Sequence, residues 1–529
     1  MDLSTNLTTN AHWSAVSHTE YDAELIHVTS AATRRFPNIR ISGQASSQLK
    51  EFLPQIRAAI EVSEFRLPKR EILISLSQTR QPKSGAHLHF AIAVSLIRLS
   101  TSAIGGLTSS EMKSKSVLLS AELDLTGKLK GVGYAHRTLS SAIQHGYHEI
   151  WISTEDLSRY QKAISSYSDS ALEAHPIIIR TFEHLNALRL SEGRHAFPIL
   201  SLKNKSSASF FNVESYNFQL PKLTLSQYRL LLASKIGNLP TLLLGSQGTG
   251  KTSLLDWFKT PPYGVNEVSL PSIAFLQELD HPMETDFKRP FVSLSPFSKF
   301  NDLLGTYRQG ILKTPGILAR AHGGVLTADE ICEAPREIRE YLRETLSHKR
   351  FTTRTQGASV ESHFHFIATA NSCRCGGWPL NWFETLEEAT ELESQIQICR
   401  CTKHSLRLYS QRLLGPFFDR MECIILFPPI NQKTHEGLKV NANQIMLSRG
   451  IYQQETWEPL APRKWRRIFD RISLRGRGQW SRLAHALYAL DASQGSASSI
   501  DTYWKEAYSL QIQRKTLIKR HYQSDSKPA

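Results

Sequence analysis

The chain has 529 residues, with 63 Lys and Arg against 48 Asp and Glu, a net charge of +15 and a pI near 9.5. Forty per cent apolar and 21% charged residues are ordinary globular values, enough to bury a sizeable core in about three domains of roughly 150 residues. No apolar run approaches the ~20 residues of a membrane span, the N-terminus lacks a basic-then-apolar signal, and six cysteines in so long a chain do not suggest a disulfide scaffold. A cytoplasmic protein with an anionic partner is the expectation.

Residues 1–200 mix short β-like runs (72–76, 116–120, 149–153, 176–179) with helical stretches such as 49–63, which predicts an α/β module. Residues 201–224 contain the polar stretch 203–209 and read as a linker. A second α/β segment, 225–430, follows, and helical patterns dominate 431–529.

The strongest signal lies at 245–252, Gly245-Ser246-Gln247-Gly248-Thr249-Gly250-Lys251-Thr252, directly behind the apolar run Thr241-Leu242-Leu243-Leu244. A buried strand that breaks into a glycine-rich turn and opens a helix is the layout of a nucleotide-binding P-loop. Its backbone N–H groups close around phosphate oxygens at the positive end of a helix. Lys251 is expected to reach the β- and γ-phosphates of ATP, and the Thr252 hydroxyl to ligate Mg²⁺.

Downstream, Val325-Leu326-Thr327-Ala328-Asp329-Glu330 is a strand ending in paired carboxylates. Behind a P-loop, Asp329 suits the Mg²⁺ shell and Glu330 suits polarising the attacking water. The next strand ends at Ala370-Asn371, where Asn371 can orient that water. Gly415-Pro416-Phe417-Phe418-Asp419-Arg420 then leads into a strand at 423–427, and Arg420 there can reach a γ-phosphate on a neighbouring subunit. Arg475, at the start of a helix in the third segment, can close a lid onto the nucleotide.

Two further patterns stand apart from the nucleotide site. From residue 431 onward there are 17 Lys and Arg against 8 Asp and Glu, in runs such as Arg463-Lys464-Trp465-Arg466-Arg467 and 514–520. These suit amphipathic helices with a basic face for nucleic acid; the other reading is a solvated helix surface. Cys373-Arg374-Cys375 and Cys399-Arg400-Cys401 lie 23 residues apart. Four thiolates match a tetrahedral Zn²⁺ site in composition, although the spacing departs from the commoner two-residue gap, and four reduced thiols in a surface loop is the alternative.

The order of these elements resembles the AAA+ ATPases. Ala321-His322-Gly323-Gly324 before Asp329-Glu330, Leu342-Arg343-Glu344-Thr345-Leu346, Arg289-Pro290-Phe291 and Gly415-Pro416-Phe417-Phe418-Asp419-Arg420 look like the magnesium-chelatase-like branch, and within it the ComM/YifB family. That resemblance implies a P-loop AAA+ core at 225–430. It also implies an N-terminal Lon-protease-like (ChlI-like) α/β domain at 1–200 and a C-terminal helical lid of Mg-chelatase type at 431–529. It further implies a homo-oligomeric ring, a hexamer, acting on single-stranded or branched DNA as a branch-migration helicase or translocase in recombination or natural transformation. A chelatase-like or chaperone-like remodeller of proteins is the alternative. The resemblance places a pore β-hairpin between Arg289 and Ala321, with Arg308 and Lys313 as its basic residues. The family's paired histidines after Arg-Pro-Phe are replaced here by Leu294-Ser295-Pro296. A Lon-type peptidase needs a Ser nucleophile and a Lys base. By register the nucleophile position falls at His87 and the base position near His136, so no peptide chemistry is expected.

Overall fold

The computed structural model describes residues 10–18, 23–33, 35–42, 51–76, 86–100, 103–104, 107–108, 117–165, 177–189, 197–198, 218–219, 223–259, 273–274, 277–278, 289–308, 311–352, 359–378, 399–427, 439–440, 442–454 and 465–523. The expected linker at 203–209 lies outside them. The chain divides into two compact units. One comprises Met1–Phe210 with Leu270–Lys288 and Tyr307–Thr314, and the other Phe211–Ser269, Arg289–Thr306 and Pro315–Ala529.

The first unit is built on an eight-stranded mixed sheet. Its strands are β1 (Asn10–His18), β2 (Ala23–Ala32), β3 (Asn38–Ser42), β4 (Glu71–Leu76), β5 (Val117–Ser120), β6 (Glu149–Ser153), β7 (Ile178–Phe182) and β8 (Phe197–Pro198), in the order β8-β7-β6-β5-β1-β2-β4-β3. The pairs β6–β7, β5–β6 and β1–β5 are parallel, whereas β1–β2 and β2–β4 are antiparallel. Side chains alternate across a strand, and both faces are covered here. Trp151 of β6 packs with Phe90, Phe182 and Leu119, under α1 (Leu53–Val62) and α2 (His89–Ile97). Its neighbours Ile150 and Ile152 pack on the other face with Leu139 and Tyr160, from α3 (Ala135–Gln144) and α4 (Leu157–Ser165). The apolar runs expected at 72–76, 116–120 and 149–153 are β4, β5 and β6; the run at 176–179 leads into β7.

The second unit holds a five-stranded, all-parallel sheet. It opens with α5 (Leu225–Gly237), whose N-terminus is a capping box: the Thr224 side chain takes the Gln227 N–H, and the Gln227 side chain returns to the Thr224 N–H. The strands are β9 (Thr241–Gly245), β10 (Phe291–Leu294), β13 (Val325–Ala328), β14 (His365–Asn371) and β15 (Cys423–Phe427), in the order β10-β13-β14-β9-β15. Helices α6 (Lys251–Trp257), α7 (Arg336–His348) and α8 (Lys403–Leu413) connect them. Between β10 and β13, β11 (Gly305–Arg308) and β12 (Ile311–Pro315) pair as a two-stranded sheet. Two short strands thus pair where the hairpin is expected, while the side chains of Arg308 and Lys313 lie outside the description.

The C-terminal helices α9 (Ala442–Gln454), α10 (Leu474–Ala492) and α11 (Ile500–Ala507) share the second unit's core, and α12 (Arg514–Gln523) follows them with Ile518 buried. Trp480 of α10 meets Trp504 of α11 edge-on at 5.1 Å, and its Nε1–H donates to the Trp504 carbonyl at 2.8 Å. Arg229 of α5 ties the layers together, with ion pairs of 2.8 Å to Asp491 and 2.7 Å to Glu506. No described helix is long and apolar enough to cross a membrane.

Candidate functional site

Because β9, β13 and β14 run parallel, their carboxyl ends meet at one edge of the sheet. That edge lies at the point where the strand order reverses around β9, the usual place for a ligand in an open parallel sheet. Register sets Gly245 opposite both Asn371 and Phe427. The loop after Gly245 turns through Gly248 (φ +77°) and Gly250 (φ +81°) into α6, conformations that a β-carbon would strain.

Lys251 is buried, and its ammonium donates to the carbonyls of Gly245 (3.0 Å) and Ser246. Burial pulls its pKa down to about 8, against the upward pull of Asp329 and Glu330. Thr252 Oγ1 lies 3.4 Å from each carboxylate oxygen of Asp329. A hydroxyl beside a carboxylate at the mouth of a glycine-rich loop is a donor set suited to Mg²⁺, a hard cation that keeps several waters. Glu330 is exposed and holds a left-handed backbone conformation (φ +48°), uncommon for a residue with a β-carbon and of the kind that gathers at functional sites.

Thr369, which the sequence reading passed over, secures both carboxylate residues. Its hydroxyl donates to Asp329 Oδ1 and accepts the Glu330 N–H at 2.9 Å. The available signal was a lone hydroxyl in the apolar run Phe366-Ile367-Ala368-Thr369-Ala370 of a central strand. Asn371 ends that strand, and its carbonyl accepts the Tyr409 hydroxyl at 2.6 Å.

The two arginines form a separate group. Arg420 sits on a 3-10 turn, Phe418–Arg420, and bonds to Ser347 Oγ at 2.9 Å and to the Pro416 carbonyl, not to P-loop atoms. Burial, then the charges of Arg475 and Arg343, hold its pKa below the ordinary arginine value. Arg475 is exposed on the first turn of α10, which the Ser473 hydroxyl caps through the Gly476 N–H. The structure therefore gathers Lys251, Thr252, Asp329, Glu330 and Asn371 at the sheet edge, and groups Arg420 with Arg475 and Arg343.

The four clustered cysteines, Cys373, Cys375, Cys399 and Cys401, bring their Sγ atoms within 4.8 Å of one another. Cys332 and Cys423 are buried elsewhere, as expected of core thiols.

Within the basic run at 514–520, Arg514, Lys515 and Lys519 have partners. Arg514 donates to the Ile424 carbonyl (3.1 Å), Lys515 to Gln479 Oε1 (3.0 Å), and Lys519 pairs with Asp419 (2.9 Å). Burial brings the Lys515 pKa down to about 8. These three side chains tie α12 to its own unit. Arg466 and Arg467 are exposed.

In the first unit, His87 and His136 are buried, and burial lowers their pKa values to about 3 and about 4. The backbone N–H groups of His136 and Arg137, opening α3, donate to the buried carboxylate of Glu278 at 2.9 and 3.0 Å. Burial raises the Glu278 pKa to about 7 against those two bonds. Neither histidine is a serine or a lysine, and burial keeps both neutral.

Two family models match the chain: "Magnesium chelatase, subunit ChlI" over residues 224–435, and "Subunit ChlI of Mg-chelatase" over residues 28–156. Among known proteins, it is 27% identical to the uncharacterized protein YifB of Salmonella typhimurium over 400 residues, 74% of this chain and 71% of that one. It is 25% identical to the competence protein ComM of Haemophilus influenzae over 405 residues, 75% of this chain and 72% of that one. The uncharacterized protein YifB of Escherichia coli is 25% identical over 402 residues, covering 75% and 71%.

Proposed function

Because the chain belongs to the magnesium-chelatase-like proteins of the ComM/YifB type, we propose that it is a Mg²⁺-dependent ATPase working as a ring, a hexamer, that moves DNA. The observation that carries the ATPase reading is the P-loop edge, where Thr252 Oγ1 faces Asp329 at 3.4 Å with Glu330 beside it. Thr252 and Asp329 would hold Mg²⁺, which would offset the negative charge of the phosphates. Lys251 and the loop N–H groups hold the phosphates, Glu330 takes a proton from the attacking water, and Asn371 orients that water. Arg420 acts in trans on a neighbouring subunit's γ-phosphate, and Arg475 closes from a helical lid. The first unit is a Lon-like module without peptidase chemistry.

DNA, single-stranded or branched, is favoured by the net charge of +15, by exposed Arg466 and Arg467, and by the likeness to a competence protein. The test is the ATPase rate with single-stranded DNA, duplex DNA or RNA at two salt concentrations. A DNA motor is stimulated, and its binding falls steeply as salt rises. Arg466→Glu with Arg467→Glu is expected to weaken binding on every sequence and flatten the salt slope by about 0.7 to 0.9 per lost phosphate contact. DNA binding unchanged in a ring that still forms would move the assignment to a chelatase-like or chaperone-like remodeller of proteins. The inward ties of Lys515 and Lys519 favour that second reading.

Nucleotide affinity is expected to depend on pH through Lys251. Its ammonium loses its proton near pH 8 in the free protein. Phosphate favours the charged form, so binding above pH 8 must take up a proton. The dissociation constant for ADP should then rise with pH by at most about tenfold per unit. Titrations with a fluorescent ADP analogue at pH 7, 8 and 9 read this. A flat profile would show that Lys251 keeps its charge throughout.

A further inference from the structure

The four cysteines lie where the nucleotide site and a separate stretch of chain meet. Cys373 and Cys375 follow Asn371 on the loop that leaves β14, whereas Cys399 and Cys401 come just before α8. Four sulfurs around one zinc at about 2.3 Å stand roughly 3.8 Å apart. The Sγ atoms here all lie within 4.8 Å of one another, and Cys373 and Cys375 are 3.0 Å apart, free thiols and not a disulfide. A soft, all-sulfur set of this size selects zinc over magnesium or calcium.

The loop 372–378, which carries the first cysteine pair, touches the P-loop at two backbone points. The Ser372 N–H donates to the Gly245 carbonyl at 3.2 Å, and the Gln247 N–H donates to the Gly376 carbonyl at 3.3 Å. Gly245 and Gln247 stand on either side of Ser246, so this loop grips the stem of the phosphate cradle. It is also bound to the cysteines. Gly376 N–H donates to the Cys373 carbonyl at 3.1 Å, the Ser372 hydroxyl to the Gly377 carbonyl at 2.6 Å, and the Cys399 N–H to the Trp378 carbonyl at 2.9 Å. Gly376 itself needs to be glycine: its φ is +75°, and a β-carbon there would stand 3.2 Å from Gln247 Cβ.

We propose that Cys373, Cys375, Cys399 and Cys401 bind one zinc ion, and that this ion braces the loop 372–378 against the P-loop so that metal loading sets nucleotide affinity. The ion replaces four thiol protons and closes the 23-residue separation between the two pairs, an ordering that weak backbone bonds alone sustain poorly. The metal assignment stands by itself; the coupling rests on the nucleotide reading of the P-loop.

The test uses the full-length protein and two independent readouts, zinc per chain by elemental analysis and the dissociation constant for ADP. The parent protein should carry one zinc per chain. Cys375→Ser and Cys401→Ser should lose it and weaken ADP binding about tenfold, the usual scale for disturbing a metal site's support. Gly376→Ala should keep its zinc and still bind ADP more weakly, since it spares the four ligands while straining the loop at φ +75° and crowding Gln247. Should the cysteine variants fail to fold, stripping the parent protein with a chelator and restoring zinc gives the same comparison. A metal-free or iron-loaded parent protein overturns the zinc assignment. A zinc-free protein that binds ADP as tightly as the loaded one overturns the coupling. A parent protein that holds zinc but binds no ADP at all sinks the nucleotide reading and leaves the metal site standing.

Discussion

Arg420→Ala is expected to lower ATP turnover by about 10³-fold or more while leaving nucleotide affinity nearly unchanged, the size of loss typical when an arginine finger is removed. Its guanidinium bonds to Ser347 and the Pro416 carbonyl, beside the charges of Arg475 and Arg343, so its own subunit's nucleotide should not feel the change. Positive charges gathered this way repel one another, and an incoming phosphate relieves that repulsion. Mixing Arg420→Ala subunits with Glu330→Gln subunits, each inactive alone, should restore some turnover, because one kind of interface then pairs two intact halves. No recovery in a mixture shown to co-assemble would rule out action between subunits.

Glu330→Gln is expected to bind ATP normally and to hydrolyse it about 10²- to 10⁴-fold more slowly, the usual contribution of a general base. Glutamine keeps the shape and the backbone hydrogen bond to Thr369 Oγ1 (2.9 Å) but cannot accept the proton of the attacking water. Asp329 and Thr252 are untouched, so Mg²⁺ and nucleotide should bind as before. Lys251→Ala is the contrasting case, with the loss appearing in affinity. Steady-state turnover and ADP titration separate the two variants. Hydrolysis at the parental rate in Glu330→Gln would remove this carboxylate from the mechanism.

The P-loop, Asp329, Glu330 and Asn371 were legible because each belongs to a strand end whose apolar run and following polar residues are continuous in sequence. Thr369 was not. Its importance comes from the parallel pairing of β13 with β14, which sets Ala328 beside Ala368 and brings a hydroxyl from one strand to the Asp329 carboxylate and the Glu330 N–H at the end of the other. Likewise, nothing local to 514–520 distinguishes a basic face open to solvent from one whose ammonium groups find Gln479 and Asp419. A charge pattern records which side chains can reach an anion and leaves open whether the fold has already supplied one.

The sequence by itself determined the local pattern: a glycine-rich loop behind an apolar strand, a paired carboxylate, two Cys-x-Cys pairs and a chain too polar to offer a membrane-length apolar run. These follow from adjacent residues, whose backbone freedom and side-chain type act over one turn. Tertiary structure alone decided which of them meet. Strand order brought Gly245 beside Asn371, the return of the chain near residue 399 closed four thiols into one cluster on a loop bonded to the P-loop, and packing turned part of the basic tail inward. Such contacts join residues tens to hundreds of positions apart. They are selected by burial of the whole core, a quantity that no short window of sequence contains.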